Sequence, residues 1–144
     1  TKGLFMFVAS FPAPMYATNC WIIAGKTGQE CIIVDPGMPD ISHEIKAIID
    51  ENKLKPVAAL ITHGHLDHTF SVKPLADGYG VPSYIHAEDR EYLLKPQGAH
   101  GSEFIAALNA MNFEEPADTR NLRHGDLLEI LALKLLRFFD KKIK

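Results

Sequence analysis

Residues 62–69 read "THGHLDHT", and this stretch constrains the chain more than any other. Three of the seven histidines, His63, His65 and His68, fall within six positions and enclose one aspartate, Asp67. The stretch continues directly from the apolar run "VAALIT" (57–62). A short continuous apolar run of this kind is expected of a strand buried on both faces. The histidines therefore lie at the carboxyl end of a buried strand, where α/β sheets present their sites.

A catalytic divalent metal takes neutral imidazoles and carboxylates at about 2.0–2.2 Å and keeps one position open for water. In an extended loop, His63 and His65 point the same way and can chelate one ion. Gly64 between them is expected to let the backbone turn without a Cβ clash. Asp67 and His68 fall at the start of the next helix, rotated from the first pair and placed for a second ion. Two ions about 3.5–4 Å apart can hold a bridging hydroxide and polarise a carbonyl or phosphoryl oxygen. The competing reading is a solvated polar loop in which Asp67 is a helix N-cap. A cap needs one polar residue, whereas four donors are gathered here.

The other histidines read more blandly. His43 is solvated on a helix beside Glu44, His86 ends a strand and caps a helix, and His100 and His124 lie in glycine-containing loops. Asp35 ends a second apolar run, "CIIVD", before "PG". It is either a turn-forming residue or a buried acceptor that orients a ligand histidine.

Around the motif the pattern is that of a mixed α/β domain. Residues 4–9 read as a strand, and 18–24 and 30–35 as a hairpin across the "GKTGQ" turn. From Asp40, which can cap a first turn, Ile41, Ile45, Ile48 and Ile49 recur on one helical face. Residues 67–77 read as a short helix and "SYIH" (83–86) as a strand. "AEDREYLL" (87–94) and "SEFIAALNAMN" (102–112) read as helices, and "GDLLEIL" (125–131) as a turn and strand.

A chain of 144 residues suits one domain with a sizeable core. A net charge of −3 gives no electrostatic footprint for nucleic acid or an acidic membrane. No stretch approaches the length of a transmembrane helix. "LFMFVASF" (4–11), with only Lys2 upstream, reads as a buried strand rather than a signal-peptide core. Cys20 and Cys31 both sit in apolar runs and read as reduced, buried thiols, which implies a reducing, cytoplasmic setting. The last eleven residues, "KLLRFFDKKIK", carry five Lys/Arg and one Asp and are chemically unlike the rest of the chain.

"THGHLDH" resembles the first metal motif of the metallo-β-lactamase superfamily, Thr-His-x-His-x-Asp-His. "TNCWII" and "IIVDPG" resemble that superfamily's opening hairpin in the form seen in glyoxalase II-like hydrolases. The resemblance extends over about residues 4–133. It implies an α/β fold, the αββα sandwich, with a binuclear site at one edge. His63 and His65 would bind the first zinc, and Asp67 and His68 the second. Asp35 would match the buried acid beneath the site, and Asp67 is the residue on which catalysis would rest. Attack by a bridging hydroxide on a thioester or similar carbonyl is the implied chemistry. Two Zn²⁺ per complete site are expected, with iron or manganese as alternatives.

The family pattern then requires three further ligands, beginning with a His-Thr-Pro-Gly-His stretch. "RFFDKKIK" stands in its place, and no histidine follows His124. The expectation is therefore the N-terminal part of such a domain (1–133) followed by an atypical basic tail (134–144). The tail has three readings: a truncated or frame-shifted relative, a half completed by another chain, or a basic amphipathic helix docking on a partner or covering the open core. The abrupt break after close agreement favours the first. The expected partner is a small-molecule thioester, not nucleic acid or membrane, with a homo-oligomer or partner chain to cover the core. The alternative function is a catalytically inactive metal-binding or interaction protein whose site a partner completes. Lactonases, persulfide dioxygenases and nucleases of the superfamily share the same first motif.

Overall fold

The computed structural model describes residues 7–14, 17–25, 30–38, 40–93, 114–130 and 133–137, the backbone alone for 127–130 and 133–137. Six strands form one mixed sheet in chain order. They are β1 (Phe7–Pro12), β2 (Asn19–Ala24), β3 (Glu30–Val34), β4 (Lys55–Leu60), β5 (Ser83–His86) and β6 (Thr119–Leu122). β1, β2 and β3 pair antiparallel, and β3 to β6 pair parallel. Helix α1 (Ser42–Glu51) makes the crossover from β3 to β4, and α2 (Leu66–Thr69) and α3 (Val72–Tyr79) the next. β7 (Leu127–Ile130) and β8 (Leu133–Arg137) form a separate antiparallel pair.

Strand patterning follows position in the sheet. β2 alternates, with Cys20, Ile22 and Ala24 buried and Asn19 and Trp21 exposed, as one-sided burial requires. β3 buries Cys31, Ile32 and Ile33 in succession, because both of its faces are covered. In β4, Pro56 cannot donate to a ladder, and the register slips there: Cys31 faces Pro56, but Ile32 faces Ala58.

The core lies mainly on the helical face. Ile22 and Ile33 pack with Ile41 just before α1, Ile45 and Ile49 from α1, and Leu75 from α3. Each such side chain contributes about 1.5–3 kcal/mol of burial. Asp40 is not the cap expected of it: Ile41 holds the N-cap position with no side-chain cap, and Asp40, one residue earlier, accepts the Ser42 N–H at Oδ1, 2.9 Å. On the opposite face Ile32, Ala58, Leu60 and Leu122 are buried together. Toward β1 and β2 that face opens, leaving Val8 49% and Trp21 38% exposed.

The hairpin, α1, β4 and "SYIH" match the sequence reading, and several boundaries do not. The first strand, Phe7–Pro12, ends three residues beyond the expected Ala9, and residues 4–6 lie outside the described residues. The single helix expected at 67–77 is two, broken at Ser71. There the Ser71 N–H is taken by the Pro36 carbonyl at 3.0 Å, while its Oγ donates to the Gly37 carbonyl and accepts the Ile41 N–H. The helix expected at 87–94 is one 3-10 turn at Arg90–Leu93. Arg90 is drawn sideways there into a two-bond pair with Glu115. β6, "TRNL", has no apolar alternation and was not expected. Residues 134–137 of the tail belong to the strand Leu133–Arg137, not to an amphipathic helix. The helix expected at 102–112, most of the "GKTGQ" turn and His100 lie outside the described residues. Among the described residues no helix is long and apolar enough to cross a membrane.

Candidate metal centre

β4 delivers the motif to the carboxyl edge of the sheet, and α2 begins inside it. His63 follows the end of β4 and Asp67 and His68 lie in α2, so one short loop gathers all three rings. The His63 and His68 ring centres are 3.9 Å apart, and those of His63 and His65 are 4.7 Å apart, edge to face. His65 is exposed, and Asp67 and His68 are half-buried. Asp67 is not an N-cap: His65 holds that position, and no side chain caps α2.

Asp35 is the buried acceptor rather than a turn residue alone. Its Oδ1 accepts the Thr62 N–H at 2.8 Å, and its Oδ2 accepts the Thr62 hydroxyl at 2.5 Å and the His68 Nδ1–H at 2.8 Å. Since a carboxylate only accepts, the shared proton sits on Nδ1 of His68. Nε2 is left turned toward Asp67, 3.3 Å from its Oδ2. Asp35 adopts a left-handed backbone conformation, φ 51°, which costs a non-glycine residue energy. Such strain persists where surrounding contacts over-determine it. Here three side-chain hydrogen bonds and the Asp35 N–H bond to the Leu60 carbonyl do so.

The two imidazoles are driven apart electrostatically. Burial lowers the pKa of His63, and the neighbouring His68 and His65 lower it further. Burial also acts to lower His68, but the Asp35 hydrogen bond and the charges of Asp35 and Asp67 outweigh it and raise the pKa.

Several contributing residues were not singled out from the sequence. Thr18, buried beside β2, donates its hydroxyl to Asp67 Oδ2 at 2.6 Å across 49 residues. Thr62 binds both Asp35 oxygens, and its Oγ1 lies 3.1 Å from His63 Nδ1. Gly37 approaches α2 so closely that a Cβ would fall 2.4 Å from the Asp67 carbonyl oxygen. Gly64 is needed for a different reason than expected. Its backbone is not left-handed; an added Cβ would meet the Tyr92 side chain at 2.6 Å. Of the other histidines, His43 and His124 are exposed, and His86 Nδ1 accepts the Glu88 N–H, capping a turn. Cys20 and Cys31 are free and buried, with burial pushing both thiols up to about 12.

The donors fit a divalent ion in kind: three imidazoles and a carboxylate, with outer hydrogen bonds that fix ring orientation. Among the described residues, no three His, Cys, Asp or Glu side chains are arranged to enclose an ion. The described residues by themselves therefore do not form a closed chelate.

Comparison with known proteins agrees with this architecture. The sequence profile of the Metallo-beta-lactamase superfamily matches residues 13–142. An uncharacterized protein of Mycobacterium leprae is 40% identical over 126 residues, 87% of this chain and 57% of its own length. "Probable metallo-hydrolase YqgX" of Bacillus subtilis is 34% identical over 113 residues, 78% of this chain and 49% of its own. Hydroxyacylglutathione hydrolase of Klebsiella pneumoniae is 41% identical over 73 residues, 50% of this chain and 27% of its own. The matched segments thus span between about a quarter and little more than half of these relatives' lengths. Among solved structures, BLEG-1 B3 metallo-beta-lactamase superposes with a TM-score of 0.65 at 25% identity, over 85% of this chain and 56% of that one. TTHA1623 in a di-iron-bound form superposes at 0.58, also at 25% identity and with the same coverage. Sheet order, the placement of the histidines and the extent of the profile match lead to one assignment: this chain belongs to the metallo-beta-lactamase superfamily.

Proposed function

We propose that the chain carries the metal-binding part of a metal-dependent hydrolase of glyoxalase II type, acting on a thioester or similar carbonyl of a small thiol. His63 and His65 serve one ion, Asp67 and His68 the other. Zinc is the favoured metal, with iron or manganese as alternatives for the same donors. A bound divalent ion supplies Lewis acidity toward a carbonyl and lowers the pKa of bound water. The chain's own residues prepare that chemistry. Asp35 holds the proton on Nδ1 of His68 and so leaves the Nε2 lone pair for an ion. Thr18 fixes one oxygen of Asp67.

The observation that carries the reading is the Asp35–His68 bond at 2.8 Å, a buried carboxylate holding an imidazole beside three further metal donors. Similarity to hydroxyacylglutathione hydrolase over half of this chain supports the thioester class. The TTHA1623 structure, described as di-iron-bound, supports two ions and keeps iron in play.

A second reading is favoured by one fact, the absence of a three-donor group among the described residues. On that reading the chain is an inactive metal-binding or interaction protein that needs a partner chain to complete the site. Metal content per chain, oligomeric state and turnover of a glutathione thioester separate the two. Near-stoichiometric metal with turnover that Asp67→Ala abolishes supports the hydrolase. Substoichiometric metal without hydrolysis, recovered on adding a partner chain, supports the second.

A further inference from the structure

Between the two histidines of the first pair, Gly64 is held from outside the motif. Its N–H donates to Asp89 Oδ2 at 2.7 Å, a buried bond spanning 25 residues. Asp89 is only 1% exposed and lies in the turn that follows β5, just before the Arg90–Leu93 3-10 turn. The same turn presses on Gly64 from the side, with Tyr92 Cδ2 and Cβ and the Asp89 carbonyl all within 3.0 Å of where a Cβ would stand. The turn is itself fixed by Asp89 N–H to the His86 carbonyl at 2.9 Å and Tyr92 N–H to the Asp89 carbonyl at 3.0 Å.

We propose that Asp89 is a positioning residue that sets the spacing of His63 and His65 by holding the Gly64 amide between them. The proposal rests on the reading that this pair serves one ion. Two side chains at i and i+2 converge on one point only while the backbone of the residue between them stays extended and fixed. A charge-assisted hydrogen bond accepted by a buried carboxylate is stronger and shorter than a neutral one, so it suits that purpose. Gly64 is then required twice over, for its unobstructed amide and for its missing Cβ. The arrangement also joins the motif to β5, a strand that supplies no donor of its own to the cluster. Asp35 and Asp89 thus divide the work: Asp35 orients His68 through its ring, and Asp89 orients His63 and His65 through the chain that carries them.

The test uses the full chain, metal-free and loaded with Co²⁺. In the metal-free protein, the Gly64 amide proton should be downfield and protected from exchange. Asp89→Ala should shift it upfield and remove the protection, perturbing His63 and His65 resonances more than those of His68. Asp89→Asn keeps an acceptor and should shift the same amide partway. In Co²⁺ titrations against a chelator, Asp89→Ala should weaken one of the two binding steps by about 10–100-fold, and Asp89→Asn by only a few-fold. An unmoved Gly64 amide in Asp89→Asn overturns the proposal, even if Asp89→Ala does not fold. Equal weakening of both binding steps, in proportion to lost thermal stability, also overturns it. A parent chain that binds no Co²⁺ refutes the metal reading instead, and the amide measurements still decide the role of Asp89.

Discussion

Replacing Asp35 with asparagine tests the logic of the site without disturbing its shape. Asparagine tolerates the left-handed backbone that Asp35 adopts, so strain is not a confounding cost. The amide can no longer satisfy all three donors that converge on the carboxylate. If its oxygen keeps the Thr62 N–H, its NH₂ faces Thr62 Oγ1 and His68 Nδ1. Thr62 can turn its hydroxyl to accept. His68 must then move its proton to Nε2, removing the lone pair that faces Asp67. If the amide is flipped, the buried NH₂ confronts the Thr62 N–H, donor against donor. Either way a charge-assisted bond is lost, which destabilises the metal-free chain by about 1.5–3 kcal/mol. Metal affinity at the His68 ion should fall by about 10–100-fold. Urea unfolding, chelator competition and ¹⁵N imidazole shifts measure the three consequences. Retention of the Nδ1–H tautomer, with stability within about 0.5 kcal/mol of the parent, would refute the reasoning.

Three more substitutions probe the surroundings. Thr18→Val removes the donor to Asp67 Oδ2 without changing volume. It should cost about 1 kcal/mol and weaken metal binding several-fold, read by chelator competition. The Thr69 hydroxyl is fully buried and finds no partner among the described residues, so Thr69→Val should raise stability by about 1 kcal/mol in urea unfolding. Asp77 accepts the Ala117 N–H and the Lys73 ammonium, tying α3 to the segment before β6. Burial pushes its pKa up, but these partners outweigh it and hold the carboxyl below its ordinary value. Its contribution is therefore present above the unfolded-state pKa and lost as pH falls through the folded one. An Asp77→Asn deficit of about 1 kcal/mol at neutral pH should begin to shrink near the unfolded-state pKa of about 3.9 and disappear only as pH falls through the lower folded one, by unfolding across that range.

What could be read from the sequence was what depends on local pattern. The alternation in β2, the isoleucine stripe of α1 and the apolar run of β4 each record a burial environment over consecutive residues. His63, His65, Asp67 and His68 were legible because four donors in six positions have no economical structural explanation, and Asp35 because an acid ended a buried strand. Thr18 and Asp89 were not, since each acts through one contact with a partner 49 or 25 residues away. β6 was hidden for a related reason: its "TRNL" is held by backbone pairing to β5, and only Leu122 is buried. The helix expected at 87–94 is a single 3-10 turn, because its side chains do not stay on one helical face. Arg90 there is committed to Glu115 and Asn121 instead.

Trp21 makes the open face of the sheet optically accessible. It is the chain's one tryptophan, it stands opposite Val34, and it is 38% exposed where the cover over Ile32 and Leu60 gives out. Its emission reports whether water or protein lies against that face. A shift to shorter wavelength would record coverage, by this polypeptide or another, before any activity is measured.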